Sequence, residues 1–346
     1  MTSEEIKEMF SRFSEMNIMI IGDVMIDSYM WGRVERISPE APIPIVTISK
    51  RENRLGGAAN VALNIQSLGA RPLLCSIIGN DERKDLFMDL LRDRNMDTSG
   101  IMLSDDRVTT VKTRIIGSNQ QLLRVDEENG DSVTEETAQE FIAMVDSLMS
   151  KFKIDAVIFE DYDKGVITPS IIKKTIALAK EKGIIVTADP KKRNFCSYNG
   201  IDLFTPNLKE VADGLRIDNP RGNITAIEKA AIELQELQNI SCLLVTLAEM
   251  GIYLRYENKG SHIPAEIRDI ADVSGAGDTV ISVATTCLVA GAGPENTTIV
   301  ANLAGGLVCE KVGVVPINKK LLLHETLELF NRKQPSQGPV SSNSLP

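Results

Sequence analysis

The stretch DVSGAGDTV, residues 272–280, decides how the rest of the chain is read. Gly275, Ala276 and Gly277 stand at the mouth of an apolar run, VISVATTCLVAGAG, which has the make-up of a buried helix. Small residues there let backbone N–H groups point outward with no side chain in the way. The helix N-terminus adds partial positive charge, so the turn is an anion site. Asp278 follows within the first turn. A carboxylate beside an anion site suits phosphoryl transfer: the amides take the transferring group and the carboxylate accepts the proton of the attacking hydroxyl. On spacing alone, an aspartate that only satisfies first-turn N–H groups is an equally good reading.

Outward from this turn the chain alternates strand and helix. NIMIIGD (17–23) is a short apolar run ending in Gly-Asp, a buried strand feeding a loop. GAANVALNIQSLGA (57–70) puts Val61, Ile65 and Leu68 on one helical face and closes at Gly69. RPLLCSIIG, IDAVIFED, IIVTADP, DLFTPN and CLLVTLAE read as strands, with helices between several of them. Two helices, over 275–290 and 295–312, close the core. This rhythm predicts an α/β fold with a mainly parallel sheet covered by helices on both faces. Ligands in such sheets bind at the carboxyl ends of the strands, where Asp23, Asp161, Asp189, Asn207 and Thr246 are expected to gather.

Two segments break the rhythm. RVERISPEAPIPIVTISKRENRL (33–55) has three prolines and an alternating tract, and is expected to form a small strand pair outside the main sheet. The segments VTTVKTRII and QQLLRVD (108–126) alternate around GSN like a hairpin. The tail KQPSQGPVSSNSLP (333–346) has almost nothing to bury and is expected to be disordered, leaving 1–332 as one domain.

Composition narrows the partners. The chain has 346 residues, a net charge of −10, and 43% hydrophobic residues. That charge argues against nucleic acid or an anionic membrane as the main partner, and an anionic substrate would need local cations or a metal. Five scattered cysteines without a paired spacing point to reduced thiols and a cytoplasmic home. No signal peptide or membrane span is expected. The chain has no GxxxxGK[ST] loop, no GxGxxG after a strand and no GxSxG elbow; its two histidines, His262 and His324, stand far apart.

The residues now resemble a known family. DVSGAGDT is similar to the signature of the ribokinase (PfkB-type) sugar kinases, and the resemblance covers nearly the whole chain. LGGAANVALNIQSLGA (55–70) resembles the family's glycine-rich sugar-binding entry, TPNLKE its Asn-x-x-Glu motif, and LLVTLAEMGIYL the strand and turn beside the nucleotide. A narrower resemblance, carried by GDVMIDSYMWG, RISPEAPIPIV, SNQQLLRVD and DYDKG, is to kinases of D-glycero-β-D-manno-heptose 7-phosphate. These form a domain of the bifunctional heptose kinase/adenylyltransferase and also occur alone. The length here implies the stand-alone kinase. Such kinases use ATP and Mg²⁺ to phosphorylate the anomeric hydroxyl, giving the 1,7-bisphosphate for lipopolysaccharide-core heptose. The chain departs from these relatives at EDYDKG (160–165), where they carry Ser-Asp-Tyr-Ala-Lys-Gly, and at DPKK (189–192), where they carry Asp-Pro-Lys-Gly.

The resemblance assigns roles. Gly275, Ala276, Gly277 and Asp278 are the catalytic turn. Asp27, Gly56, Gly57, Asn60, Asp161, Lys164 and Lys191 are expected at the sugar. Lys164 and Lys191 are chosen for a sugar phosphate from a set that also holds Lys112, Arg114, Arg124 and Lys192. Asn207, Leu208, Lys209, Glu210, Thr246, Gly251 and Asn302 are expected at the nucleotide. Glu210 is expected near Mg²⁺, and Asp272 near a monovalent cation. Asn207 and Glu210 also have capping-box spacing, and the two roles are compatible. Segment 33–55 maps to the family's lid, which implies a homodimer formed through it. Other readings are a different sugar or sugar-phosphate kinase of this fold, or a non-catalytic sugar-binding regulator.

Overall fold

The computed structural model describes residues 1–118 and 120–333. The expectation for the tail falls almost wholly outside them. Thirteen strands are described: β1 (Asn17–Gly22), β2 (Val24–Ile37), β3 (Pro44–Gly57), β4 (Arg71–Gly79), β5 (Ile101–Ser104), β6 (Val111–Gly117), β7 (Gln120–Glu127), β8 (Ala156–Glu160), β9 (Ile185–Asp189), β10 (Leu203–Phe204), β11 (Cys242–Thr246), β12 (Ile252–Tyr256) and β13 (Lys259–Ile263). The helices are α1 (Ser3–Arg12), α2 (Ala58–Ser67), α3 (Lys84–Arg92), α4 (Glu135–Lys151), α5 (Pro169–Glu181), α6 (Leu208–Leu215), α7 (Ile224–Gln238), α8 (Ala276–Val289), α9 (Pro294–Cys309) and α10 (Lys319–Lys333).

Nine strands form one sheet in the order β13-β12-β11-β10-β9-β8-β1-β4-β5. Every pairing from β11 to β5 is parallel; β12 runs antiparallel to its neighbours. The period-2 alternation of strand side chains divides the core into two layers. From β1, Ile18 and Ile20 pack on one face, with α2, α8 and α9. Met19 and Ile21 pack on the other, with α4, α5 and α7. Each such isoleucine, fully buried, contributes roughly 1.5–3 kcal/mol. From β1 the chain builds outward to β4 and β5 on one side and to β8 through β11 on the other. The order therefore reverses between β1 and β8, which is where an open parallel sheet leaves a crevice at its carboxyl edge.

The second sheet has four strands in the order β3-β2-β6-β7. It is larger than the strand pair expected over 33–55. The long antiparallel pair of β2 and β3 meets the hairpin of β6 and β7 through a parallel β2–β6 pairing. Asp27 accordingly lies within a strand, not in the loop expected after β1. Only Asp23 separates β1 from β2. The inner ends of this sheet, Ile26, Leu55 and Val111, are rooted in the main core. Its outer parts carry exposed apolar residues, among them Leu123 and Val125.

Candidate active site

The site is built where α2 and α8 meet the crevice. α8 begins after Gly275, whose φ of 78° is left-handed, and no side chain caps it. The helices α4, α5, α6 and α7 are all capped by a Thr or Asn side chain. A side chain at 275 would crowd Asn60 Nδ2 at 3.1 Å and Val314 at 3.0 Å, and the left-handed φ itself favours glycine. α2 and α8 are braced against each other. Asn60 Nδ2 donates to Asp278 Oδ2 at 2.6 Å, and Thr279 Oγ1 donates to Asn64 Oδ1 at 3.3 Å. Asp278 is thus fixed from a helix 218 positions away in sequence. Its other oxygen, Oδ1, accepts from the Tyr162 hydroxyl at 2.7 Å.

Burial raises the pKa of the Asp278 carboxyl, while Asn60, Tyr162 and Lys191 pull it back down. Further carboxylates crowd the same edge. Asp189, at the end of β9, is pushed up to about 7 by burial, partly opposed by Lys191. Glu160, at the end of β8, is 1% exposed, and its Oε2 has no hydrogen-bond partner. Burial, then Asp189 and Asp278, hold its proton well above the ordinary range. Lys191 is the cation among them. Its Nζ donates to Glu210 Oε1 at 2.8 Å and lies 3.9 Å from Asp189 Oδ1.

Glu210 and Asn207 do form the capping box at the start of α6. Glu210 N donates to Asn207 Oδ1 and Asn207 N to Glu210 Oε2, both at 2.9 Å. Leu208 is buried beneath this turn, and Lys209 is exposed. Thr246 lies beside Asn207 in a parallel bridge. Gly251 turns the chain from β11 to β12 with a φ of 92°, and its carbonyl accepts from Leu247 N. Asn302 reaches from α9 to the carbonyl of Pro264 at 2.9 Å.

Asp27, 5% exposed, forms an ion pair with Arg114 of β6. Gly56 lies directly against it: a Cβ at 56 would sit 2.3 Å from Asp27 Oδ2. Gly57 has a φ of 61° and would press on the Asp23 carbonyl. Lys164 pairs with Glu128 at 2.7 Å. Lys112 stands near it, half-buried, its pKa lowered first by burial and then by Lys164.

Two expected residues are engaged elsewhere. Asp161 is turned into the protein: its carboxylate accepts from Asn194 Nδ2 at 2.9 Å, the Tyr198 hydroxyl at 3.1 Å and Asp163 N at 2.9 Å. Burial and neighbouring Asp23 push its pKa up to about 6. These contacts make it a brace for the 161–167 loop rather than a reader of hydroxyls. Asp23 supports the same loop, accepting from the backbone N–H of Tyr162, Lys164 and Val166. Asp272 also spends both oxygens on backbone, accepting from Ser274 N at 2.9 Å and Gly313 N at 3.0 Å. Among the described residues, no group of three His, Cys, Asp or Glu side chains is arranged to hold a metal by itself. Tyr162 is the residue that sequence reasoning passed over. It lies inside the DYDKG segment, but its partner Asp278 is 116 positions away and nothing local marks the contact.

An uncapped glycine-rich helix start, with an anchored aspartate, at the switch point of a parallel sheet is a phosphoryl-transfer arrangement. The model of the pfkB family carbohydrate kinases matches residues 16–320. The chain belongs to that family. Its relatives include Bifunctional protein HldE of Geobacter metallireducens, 34% identical over 92% of this chain, and of Methylobacillus flagellatus, 38% identical over 89%. The chain spans 64% and 62% of those proteins' own lengths. The fold recurs in solved structures. Phosphofructokinase-2 of Escherichia coli in complex with potassium gives a TM-score of 0.74 at 18% identity, covering 92% of this chain and 99% of that one. Arabidopsis thaliana ribokinase complexed with ribose and ATP gives 0.68 at 17% identity, covering 90% and 98%. No helix among the described residues is long and apolar enough to cross a membrane.

Proposed function

We propose that this pfkB kinase transfers the γ-phosphoryl group of ATP to the anomeric hydroxyl of a sugar phosphate, D-glycero-β-D-manno-heptose 7-phosphate, giving the 1,7-bisphosphate. The observation that carries the reading is Asp278, held by Asn60 at the uncapped N-terminus of α8. Asp278 accepts the proton of the attacking hydroxyl. A bond forms from that oxygen to the γ-phosphorus while the bond from phosphorus to the β–γ bridging oxygen breaks, and ADP leaves. The amides at Gly275 and Gly277 face the charge on the transferring group, while that of Ala276 donates to the Val273 carbonyl. Asp27 and Asn60 orient the sugar, with Gly56 and Gly57 letting backbone come close. Lys164 and Lys112, two neighbouring cations, suit a phosphate at the sugar's far end. Asn207, Thr246, Gly251 and Asn302 line the nucleotide side.

The residues also fit Mg²⁺. Asp189 and Glu210 both face Lys191 and Asp278 lies in its field, so more carboxyl groups converge there than Lys191 can pair. Glu210, with Asp189 beside it, would hold the ion through its water shell and substrate phosphates. When bound, Mg²⁺ supplies charge neutralisation to the phosphates. Exposed Ile37, Leu123 and Val125 on the smaller sheet, with Ile43 in the β2–β3 connection, support pairing with a second copy through the lid.

A screen of ADP release with heptose 7-phosphate, fructose 6-phosphate, fructose and ribose tests the substrate. A site built for a phosphate rejects sugars without one, because its cations are left unpaired. Heptose 7-phosphate is expected to exceed fructose and ribose in kcat/KM by at least ~10-fold. A highest value for an unphosphorylated sugar would remove the heptose reading and leave the family membership intact.

A further inference from the structure

We infer that Tyr162 is a positioning residue for Asp278, setting both the aim and the ionisation of the base. The inference rests on Asp278 acting as proposed above. Four contacts fix Tyr162. Its backbone N–H is tied to Asp23 Oδ2 at 2.9 Å, anchoring it to the end of β1. Its hydroxyl donates to Asp278 Oδ1 at 2.7 Å. Its ring lies 6.0 Å below the ammonium of Lys112 and 5.6 Å from that of Lys191. The phenol therefore joins the base to the lid cation on one side and to the Glu210 partner on the other.

A carboxylate has about four lone-pair sites, and here two are taken, one on each oxygen. Asn60 and Tyr162 hold the carboxylate from both sides, so its plane cannot turn, and a sugar hydroxyl has a remaining lone pair to approach. Hydrogen bonds donated to the ionised form also favour that form. The groups facing Asp278 are Lys191, which favours its charge, and Glu160 and Asp189, whose carboxyls the Asp278 charge helps to keep protonated. Among buried carboxyls, a base needs donors to remain ready to take a proton. Asn60 supplies one and Tyr162 the other.

The test is Tyr162→Phe, which keeps the ring between the two lysines and removes only the hydroxyl. The acid limb of the kcat/KM profile for the phosphorylated sugar is expected to move up by about half a unit to one unit. The kcat at the optimum is expected to fall roughly three- to tenfold, with KM for ATP unchanged. In an Asp278→Asn background the same substitution should leave the residual rate unaltered, because its effect runs through the carboxylate. An unmoved acid limb overturns the inference, as does an equal loss in both backgrounds. Either result, with wild-type turnover intact and Asp278→Asn impaired, sinks this inference alone. A wild-type protein inactive on every sugar would instead sink the proposed function.

Discussion

Adding one methyl group at Gly56 tests the sugar side of the site. A Cβ there would lie 2.3 Å from Asp27 Oδ2 and 2.9 Å from Met25 Cγ. Both are side-chain atoms, so the backbone can stay where it is and the Asp27 carboxylate must move. Moving it breaks the Arg114 pair and displaces the group proposed to hold sugar hydroxyls. A hydrogen bond to a charged group contributes about 1.5–3 kcal/mol, so Gly56→Ala should lower kcat/KM for the sugar by ~10- to 100-fold. Overpacking should cost about 1–3 kcal/mol of stability, which a domain of this size tolerates. Gly57→Ala is the control. Its Cβ would meet backbone, the Asp23 carbonyl at 2.4 Å, and its φ of 61° with ψ of −137° suits glycine alone. That carbonyl also accepts from Ala58 N at 2.9 Å, joining the link between β1 and β2 to the start of α2. Gly57→Ala should therefore lose much more Tm than Gly56→Ala. The assay is coupled ADP release with sugar and ATP varied in turn, alongside thermal melts. If Gly56→Ala raises KM for ATP and leaves sugar kcat/KM within about twofold, Asp27 is not on the sugar.

Two further substitutions probe the carboxylate cluster. Glu210→Gln can keep the acceptor for Asn207 N but loses the charge beside Lys191; the Mg²⁺ concentration for half-maximal rate should rise severalfold, with at most about 1 kcal/mol of stability lost. An unchanged Mg²⁺ curve with a lower Tm would leave Glu210 as a cap only. Glu160 binds its proton more tightly folded than unfolded, so its stabilising share is complete below its ordinary pKa and drains away as pH rises through the folded value. Glu160→Gln, neutral throughout, should gain Tm relative to wild type as pH rises above the ordinary carboxylate range. Parallel melting curves above that range would contradict the assignment.

Much of this was legible because the informative chemistry is local. Gly275–Asp278 announce a helix start without a cap, and Asn207 with Glu210 announce one with a cap; each needs only neighbours in sequence. The strand ends also stood out, since an apolar run that stops at a polar residue marks a carboxyl edge. β2 was partly hidden. Its outer half, Gly32–Ile37, is charged and only partly buried, so it lacks the apolar alternation of a half-buried strand. The charge pattern near Asp161 looks like a binding loop, yet the residues that claim its oxygens, Asn194 and Tyr198, come more than thirty positions later. Tyr162 and Asn60 meet Asp278 only through the tertiary fold. Spacing can nominate a base; it cannot name the groups that hold it.

The central claim is that Asp278 takes the proton of a sugar hydroxyl during phosphoryl transfer. Phosphorus NMR of a reaction with ATP and heptose 7-phosphate follows both the ADP and the new sugar phosphate. For the wild type, a second phosphate should appear at the anomeric position, in step with ADP. Asp278→Asn keeps the shape and cannot accept the proton, so its rate should fall by at least ~10²-fold while ATP binding is unchanged. Turnover of Asp278→Asn close to that of the wild type would contradict the account.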